Sequence, residues 1–366
     1  MTITLSRRSA LAGLGLLCST AALAACANGS SGDRLKVVII SKSYQNQFYQ
    51  AAFKGAKDAA DKLSVDLETN GPDAESNVSQ QVEQLAAAVN QHPDAIALAA
   101  SQPDAVQDAL VNAKSQSIPV IGFDSGVPGD ASGAVVATAT TDNVAAGGNV
   151  ATNLAANEAF KAAVGAGTTS APAVIGVLAQ DSTSGSIVQR VNGFVDALVA
   201  ELEKIDGLAG AVDVSGQQQW TRPSASPAKA KIVVTVPPTT SQADIQSAAA
   251  SILSTGGLVA LFAANQDGVN GVISATNDAT DLDRTSGKYK NLLVVGFDAG
   301  KSQKDAVRSG AFLGSVTQDP YQMGYQAVEL AVKAAKGEAV ADVDTGSHWY
   351  DASNIDNEDI SILLYD

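Results

Sequence analysis

The 366-residue chain has only two cysteines, two histidines and two tryptophans, and aromatic residues make up 5% of it. Both cysteines, Cys18 and Cys26, stand near the N-terminus, so the rest of the chain has no disulfide and depends on its packed core. His92 lies in Gln-His-Pro-Asp and His348 in Ser-His-Trp-Tyr, and no Cys/His/Asp group has metal-ligand spacing. There is no Gly-x-Ser-x-Gly elbow, no Walker A loop and no dinucleotide glycine fingerprint after the first apolar strand. No motif points to an enzyme, a metal or a cofactor. Basic residues are scarce too, 23 against 38 acids, for a formal charge of −15. Such a chain repels phosphate backbones, so nucleic acid is not an expected partner, while a neutral ligand stays open.

Residues 1–25 read as a signal peptide. Arg7-Arg8 precedes an apolar, small-residue run over 11–25 that is too short and Gly/Ala-rich for a membrane span. The run ends in Leu23-Ala24-Ala25-Cys26, which matches the bacterial lipobox, so Cys26 is expected to carry a diacylglycerol. Residues 26–33 would then be a polar tether, with the protein on the extracytoplasmic face of the cell membrane. Two acyl chains suffice for stable attachment. Ser6-Arg7-Arg8 also looks like a twin-arginine start with Ala10 in place of the usual aromatic, which leaves the export route open. Removal of 1–25 takes away two arginines and no acid, so the charge moves from −15 to −17.

From residue 35 onward, short β-branched runs alternate with longer helical patterns. The expected strands are 35–41, 95–99, Val120–Phe123, 174–178, 232–236, Leu258–Ala263, 292–297 and 312–316. Val78, Val82, Leu85 and Val89 make one helical stripe, and Ile187, Val191, Phe194 and Leu198 another. Ser241-Gln-Ala-Asp244 resembles a capping box. This alternation implies an α/β fold of parallel sheets flanked by helices. Residues 163–171 read as a linker and 207–229 as a polar, irregular surface insertion.

A short repeat stands out: Ile121-Gly-Phe-Asp124-Ser-Gly126 recurs as Val295-Gly-Phe-Asp298-Ala-Gly300. Each copy ends an apolar strand with an aspartate. Asp and Gly are common turn residues, but ligands of open α/β sheets also bind beyond the carboxyl ends of strands. A neutral polyhydroxylated ligand needs paired acceptors and donors for its hydroxyls and flat apolar faces for its C–H surfaces. Strand ends and helix starts offer Asn46, Phe48, Tyr49, Asp124, Arg190, Asn265, Asp298 and Gln318. Singly, these residues serve equally well as turn residues (Asp124, Asp298), an N-cap (Asn265) or a solvated loop (Gln318).

Taken in order, the motifs resemble the ribose-type periplasmic sugar-binding proteins, the type I solute receptors of ABC importers. The matching stretches are Asn46-Gln-Phe48-Tyr49, Ile118-Pro-Val-Ile-Gly-Phe-Asp124, Thr141-Asp142-Asn143 with Gly147-Gly148, and Arg190-Val-Asn-Gly-Phe194. Phe262-Ala-Ala-Asn265-Gln-Asp267, Val295-Gly-Phe297-Asp298 and Thr317-Gln318-Asp-Pro-Tyr-Gln-Met-Gly324 follow. The resemblance implies two Rossmann-like lobes joined by a hinge: 34–140 with 319–347, and 141–318 with 348–366. It implies that Phe48, Tyr49 and Phe297 sandwich a sugar ring, that Asp124 and Asp298 accept from hydroxyl pairs, and that Asn46, Arg190, Asn265 and Gln318 donate to sugar oxygens. It further implies a monomer that closes on a monosaccharide or polyol and delivers it to a permease, with no cofactor. The same site would suit a sensory module presenting a sugar or autoinducer to a membrane receptor. A related repressor is excluded, because a signal and tether precede residue 35 where a helix-turn-helix would lie. Three departures are visible. Gln47 stands where Pro is usual, Ser125 where ribose-specific members carry a second Arg, and Pro237-Pro238-Thr239-Thr240 where an aromatic is common. Trp220 is a candidate replacement ring, with local packing the simpler role.

Overall fold

Val37 and Ile39 face one layer of helices and Val38 and Ile40 the other, all of them buried. A strand covered on both faces reads as a near-continuous apolar run, and the first strand is one. A computed structural model describes residues 34–365; the N-terminal segment, with Cys26, lies outside them.

Two sheets organise the chain. The first contains β1 (Lys36–Ile40), β2 (Asp66–Asn70), β3 (Ala95–Leu98), β4 (Val120–Phe123), β5 (Val135–Thr140) and, from far along the sequence, β12 (Val343–Asp344). The second contains β6 (Ala173–Leu178), β7 (Val212–Gly216), β8 (Ala230–Thr235), β9 (Leu258–Ala263), β10 (Leu293–Phe297), β11 (Gly314–Gln318) and β13 (Ser347–Tyr350). Their orders are β12-β5-β4-β3-β1-β2 and β13-β11-β10-β9-β6-β8-β7. Every pairing is parallel except β11 with β13. The first sheet lies between α1 (Gln47–Leu63) with α10 (Pro320–Ala335) on one face, and α2 (Val78–Asn90) with α3 (Gln107–Ser115) on the other. On the second, α4 (Asn143–Ala156), α5 (Glu158–Gly165) and α6 (Gly185–Leu202) cover one face. The other face carries α7 (Gln242–Leu253), α8 (Gln266–Ala275), α9 (Lys301–Arg308) and the short α11 (Glu358–Ser361). The α/β expectation holds, and all eight expected strands form within two residues of their bounds.

The sequence patterns explain their elements. The stripes of α2 and α6 face the sheets, and the Ser241 hydroxyl caps α7 by accepting from Asp244 N at 3.3 Å. Helices α4 and α6 approach so closely that a Cβ on Gly147 would lie 2.0 Å from the Arg190 carbonyl oxygen. One on Gly193 would lie 2.0 Å from that of Val144. Only glycine permits this, and the approach seats Arg190 beside Asn143.

Two expectations need correction. The stretch 207–229 is not an irregular insertion: it contains β7, an edge strand whose Val212 and Val214 face the core in period-two alternation. Trp220 follows it, 1% exposed, and its indole N–H donates to Asn192 Oδ1 at 2.9 Å, so it packs locally. Residues 163–165 belong to the last turn of α5, which shortens the expected linker at 163–171.

Candidate functional site

Asp124 and Asp298 both take the left-handed backbone conformation, with φ of 52° and 73°. Aspartate tolerates this better than most residues, and in both places it ends the strand at its carboxyl edge. The two edges face each other across a small cavity of about 30 Å3. It is lined by Asn46, Phe48, Tyr49, Asp124, Arg190, Asn265, Asp298 and Gln318, eight of the nine residues expected to hold a ligand. Phe297 is the exception. It is fully buried beneath Arg190, whose guanidinium carbon lies 3.5 Å from the ring centroid, so it supports the arginine and does not line the cavity. The aromatic wall is Phe48 and Tyr49, edge to face at 5.1 Å.

Each polar residue is held by its local structure. Asn46 caps α1, its Oδ1 accepting from Phe48 N at 2.9 Å. Asn265 caps α8, accepting from Gly268 N at 3.0 Å, while its Nδ2 donates to Gln180 Oε1. Capping and site lining therefore coexist in both residues. Gln318 is not a solvated loop but the last residue of β11, 2% exposed, and its Nε2 donates to Asp298 Oδ1 at 2.5 Å. Asp298 Oδ2 accepts from Gln266 N at 3.0 Å and lies 4.0 Å from Arg190 Nη1. Arg190 also donates to Ala264 O at 2.6 Å and, through Nε and Nη2, to Asn143 Oδ1 at 3.2 and 2.8 Å. Burial pushes the Asp298 carboxyl up, and Arg190 and Gln318 offset part of this. Burial likewise lowers Arg190, with Asp298 and Asp124 opposing.

Sequence reasoning missed two charged residues here. Lys42, just past β1, is buried, with Nζ 3.5 Å from Asp124 Oδ2, 3.7 Å from Glu75 Oε2 and 3.2 Å from Ser184 Oγ. Burial alone would lower its pKa, but Glu75 and Asp124 outweigh that and hold the ammonium above the usual lysine range. Glu75 accepts from Gln180 Nε2 at 2.7 Å, and burial pushes its carboxyl up. Tyr49 donates to Asp124 Oδ2 at 2.6 Å, and burial together with that carboxylate raises the phenol well above its ordinary value. The signal for Lys42 was its place at the mouth of the first strand. Glu75 sits in a turn that carries no motif.

Contacts across the cleft bind the two sheets' sides together. Lys42 meets Ser184, Glu75 meets Gln180, and Gln47 Oε1 accepts from Gln266 Nε2 at 3.1 Å. The glutamine that departs from the expected proline is thus one of the ties. Tyr365 is another: its ring stands edge to face with Phe48 at 6.0 Å while its hydroxyl accepts from Ala299 N at 3.2 Å. Among the described residues no group of three or more His, Cys, Asp and Glu side chains is placed to hold a metal ion. No described helix is long and apolar enough to cross a membrane.

A family model described as a periplasmic binding protein domain matches residues 37–339, which include all the strands of both sheets except β12 and β13. The chain belongs to this family. Among periplasmic binding proteins, the ribose import binding protein of Salmonella typhimurium is 26% identical over 328 residues, covering 89% of this chain and 94% of the relative. The D-allose-binding periplasmic protein of Escherichia coli is 24% identical over 339 residues, 90% of this chain and 91% of the relative. A solved carbohydrate transporter solute-binding protein of Agrobacterium radiobacter, in complex with D-arabinose, is 26% identical with a TM-score of 0.72. It covers 91% of this chain and 100% of that one. An Agrobacterium vitis solute-binding protein with bound D-fucose gives 27% and 0.72, covering 90% and 100%. The two-sheet fold is that of the type I periplasmic binding proteins.

Proposed function

We propose that this periplasmic binding protein captures a monosaccharide unit or polyol between its two lobes and delivers it to the permease of an ABC importer, without chemical turnover. One observation carries the reading. Eight residues from distant parts of the chain meet at one cavity between facing strand ends, and they combine carboxylates, amides, a guanidinium and an aromatic wall. Carboxylates accept from vicinal hydroxyls, and the rigid guanidinium fork reaches two oxygens at once. Hydrogen bonds to charged groups contribute about 1.5–3 kcal/mol each, against about 1 for neutral pairs. Gln266 Oε1 and Gln318 Oε1 are buried with no protein donor, and sugar hydroxyls would supply one.

The cavity of about 30 Å3 lies far below the roughly 300 Å3 at which small-molecule sites usually begin. A sugar enters only when the lobes part, and its hydroxyls then take over the bonds that Tyr49 and Lys42 make to Asp124. The lobe division would be 34–140 with 319–347, and 141–318 with 348–366, so that three crossings form the hinge. Relatives that import ribose and bind D-allose, D-arabinose or D-fucose favour a sugar. The lipid on Cys26 would keep the monomer at the outer face of the membrane beside its permease. A thermal-shift screen of the purified protein against pentoses, hexoses and polyols tests the reading. Binding to the folded form alone raises the midpoint by mass action, and a flat response to every sugar would refute it.

A further inference from the structure

Beside the buried cavity lies an open groove of about 380 Å3, within the range of roughly 300–1,000 Å3 usual for small-molecule sites. Both sides of the cleft build it: Ser101 and Gln102 after β3, Asp181 after β6, and 236–240 after β8. Glu75 lines the groove and the cavity alike, and the hydrogen bond it accepts from Gln180 is the partition between them. Gln180 in turn accepts from Asn265 within the cavity. The two spaces are therefore neighbours separated by one pair of polar side chains.

The chemistry of the groove is specific. Ser101 is 7% exposed and its Oγ has no hydrogen-bond partner, and Thr240 Oγ1 is orphaned in the same lining. Buried hydroxyls are rarely left unpaired, since each costs about 1–3 kcal/mol. The only charged side chains in the lining are Glu75 and Asp181. Phosphate or carboxylate would be repelled there, whereas hydroxyl donors find acceptors. Val236 and the Pro237-Pro238 pair add a C–H wall of the kind a sugar ring can lie against.

We infer that the groove is a second subsite, taking a neutral glycosyl unit joined to the one held by Asp124, Arg190 and Asp298. The natural ligand is then a disaccharide or glycoside rather than a free monosaccharide. This rests on the sugar reading of the cavity, and the test separates the two. Purified protein is titrated calorimetrically with matched pairs: glucose with cellobiose and maltose, galactose with lactose, xylose with xylobiose. At least one disaccharide should bind tenfold or more tightly than its monosaccharide. Pro238→Trp, and independently Thr239→Trp, place an indole at exposed positions of the groove, where it either fills the subsite or stacks on the second unit, and each should change that ratio at least tenfold. Monosaccharides binding with no disaccharide binding more tightly would overturn the second subsite and leave the sugar site standing. A disaccharide preference untouched by both tryptophans would overturn it as well. Silence from every sugar would sink the sugar reading itself.

Discussion

Asp124 and Asp298 end corresponding strands in the two sheets with the same left-handed turn, yet their surroundings differ in kind. Asp298 is held by a backbone N–H, a glutamine amide and a guanidinium. Its own carbonyl accepts from Gln303, Ser315 and Tyr350, at 2.9, 3.2 and 2.8 Å. That is a fixed frame, built before any ligand arrives. The Asp124 carbonyl is anchored too, accepting from Thr140 Oγ1, but its carboxylate is held by Tyr49 and Lys42, long side chains that a ligand can displace. Lys42 also reaches across the cleft to Ser184. In the proposed reading the two sides divide the labour: the Asp298 side would present a preorganised surface, and Lys42 and Tyr49 on the Asp124 side would respond to the ligand and to closure.

The largest effect expected is that of Arg190→Ala. In the proposed reading it removes a sugar donor, and it leaves Asp298 buried without its cation, so binding should fall beyond detection. Chemical denaturation should show a loss of about 3–5 kcal/mol, the usual cost of breaking a buried pair from one side. Asp124→Ala should abolish binding just as fully but cost far less stability, because Lys42 keeps Glu75. Equal stability losses in the two variants would break the comparison. Lys42→Met comes next. With Asp124 and Glu75 left unneutralised, affinity should fall at least tenfold, and small-angle scattering of the unliganded protein should report a larger radius of gyration.

A smaller effect concerns pH. Burial, with Glu75 nearby, pushes Asp267 from 3.8 up to about 7. The folded protein therefore holds a proton that the unfolded chain releases near pH 4. Its contribution is greatest at low pH and is lost as pH rises from about 4 to about 7. Glu75 and Asp298, raised by the same cause, act in the same sense. Asp267→Asn should flatten the fall of the melting midpoint over that range; an unchanged slope would contradict the assignment. Smallest of all, Trp220→Phe loses one hydrogen bond to Asn192. With the cavity that the smaller ring leaves in the core, it should cost about 1–3 kcal/mol and leave sugar affinity unchanged.

Most central strands were legible because a parallel strand covered on both faces is usually apolar along nearly its whole length. The strands missed were those where this rule relaxes. In β2 the sequence Asp-Leu-Glu-Thr-Asn is that of a half-exposed edge, and β5 is built of small and hydroxylated residues packed in alternation. β12 and β13 are two and four residues long, too short for a pattern. The site was legible where a side chain is tied to a strand end, as with Asp124, Asn265, Asp298 and Gln318. Phe297 looked like a ring for the ligand because sequence order does not reveal which face of β10 it takes; it lies on the core face, under Arg190. Lys42 and Glu75 escaped because their partners, Asp124 on the same side and Ser184 and Gln180 across the cleft, are far away in sequence, and no local pattern records them.

The sugar giving the largest thermal shift is titrated calorimetrically into the wild-type protein, Asp124→Ala and Arg190→Ala, with the melting of each variant followed in parallel. Both variants should still melt cooperatively, and both should lose at least a hundredfold in affinity. Wild-type affinity in both would show that the sugar binds elsewhere and that the paired strand ends are turns and nothing more.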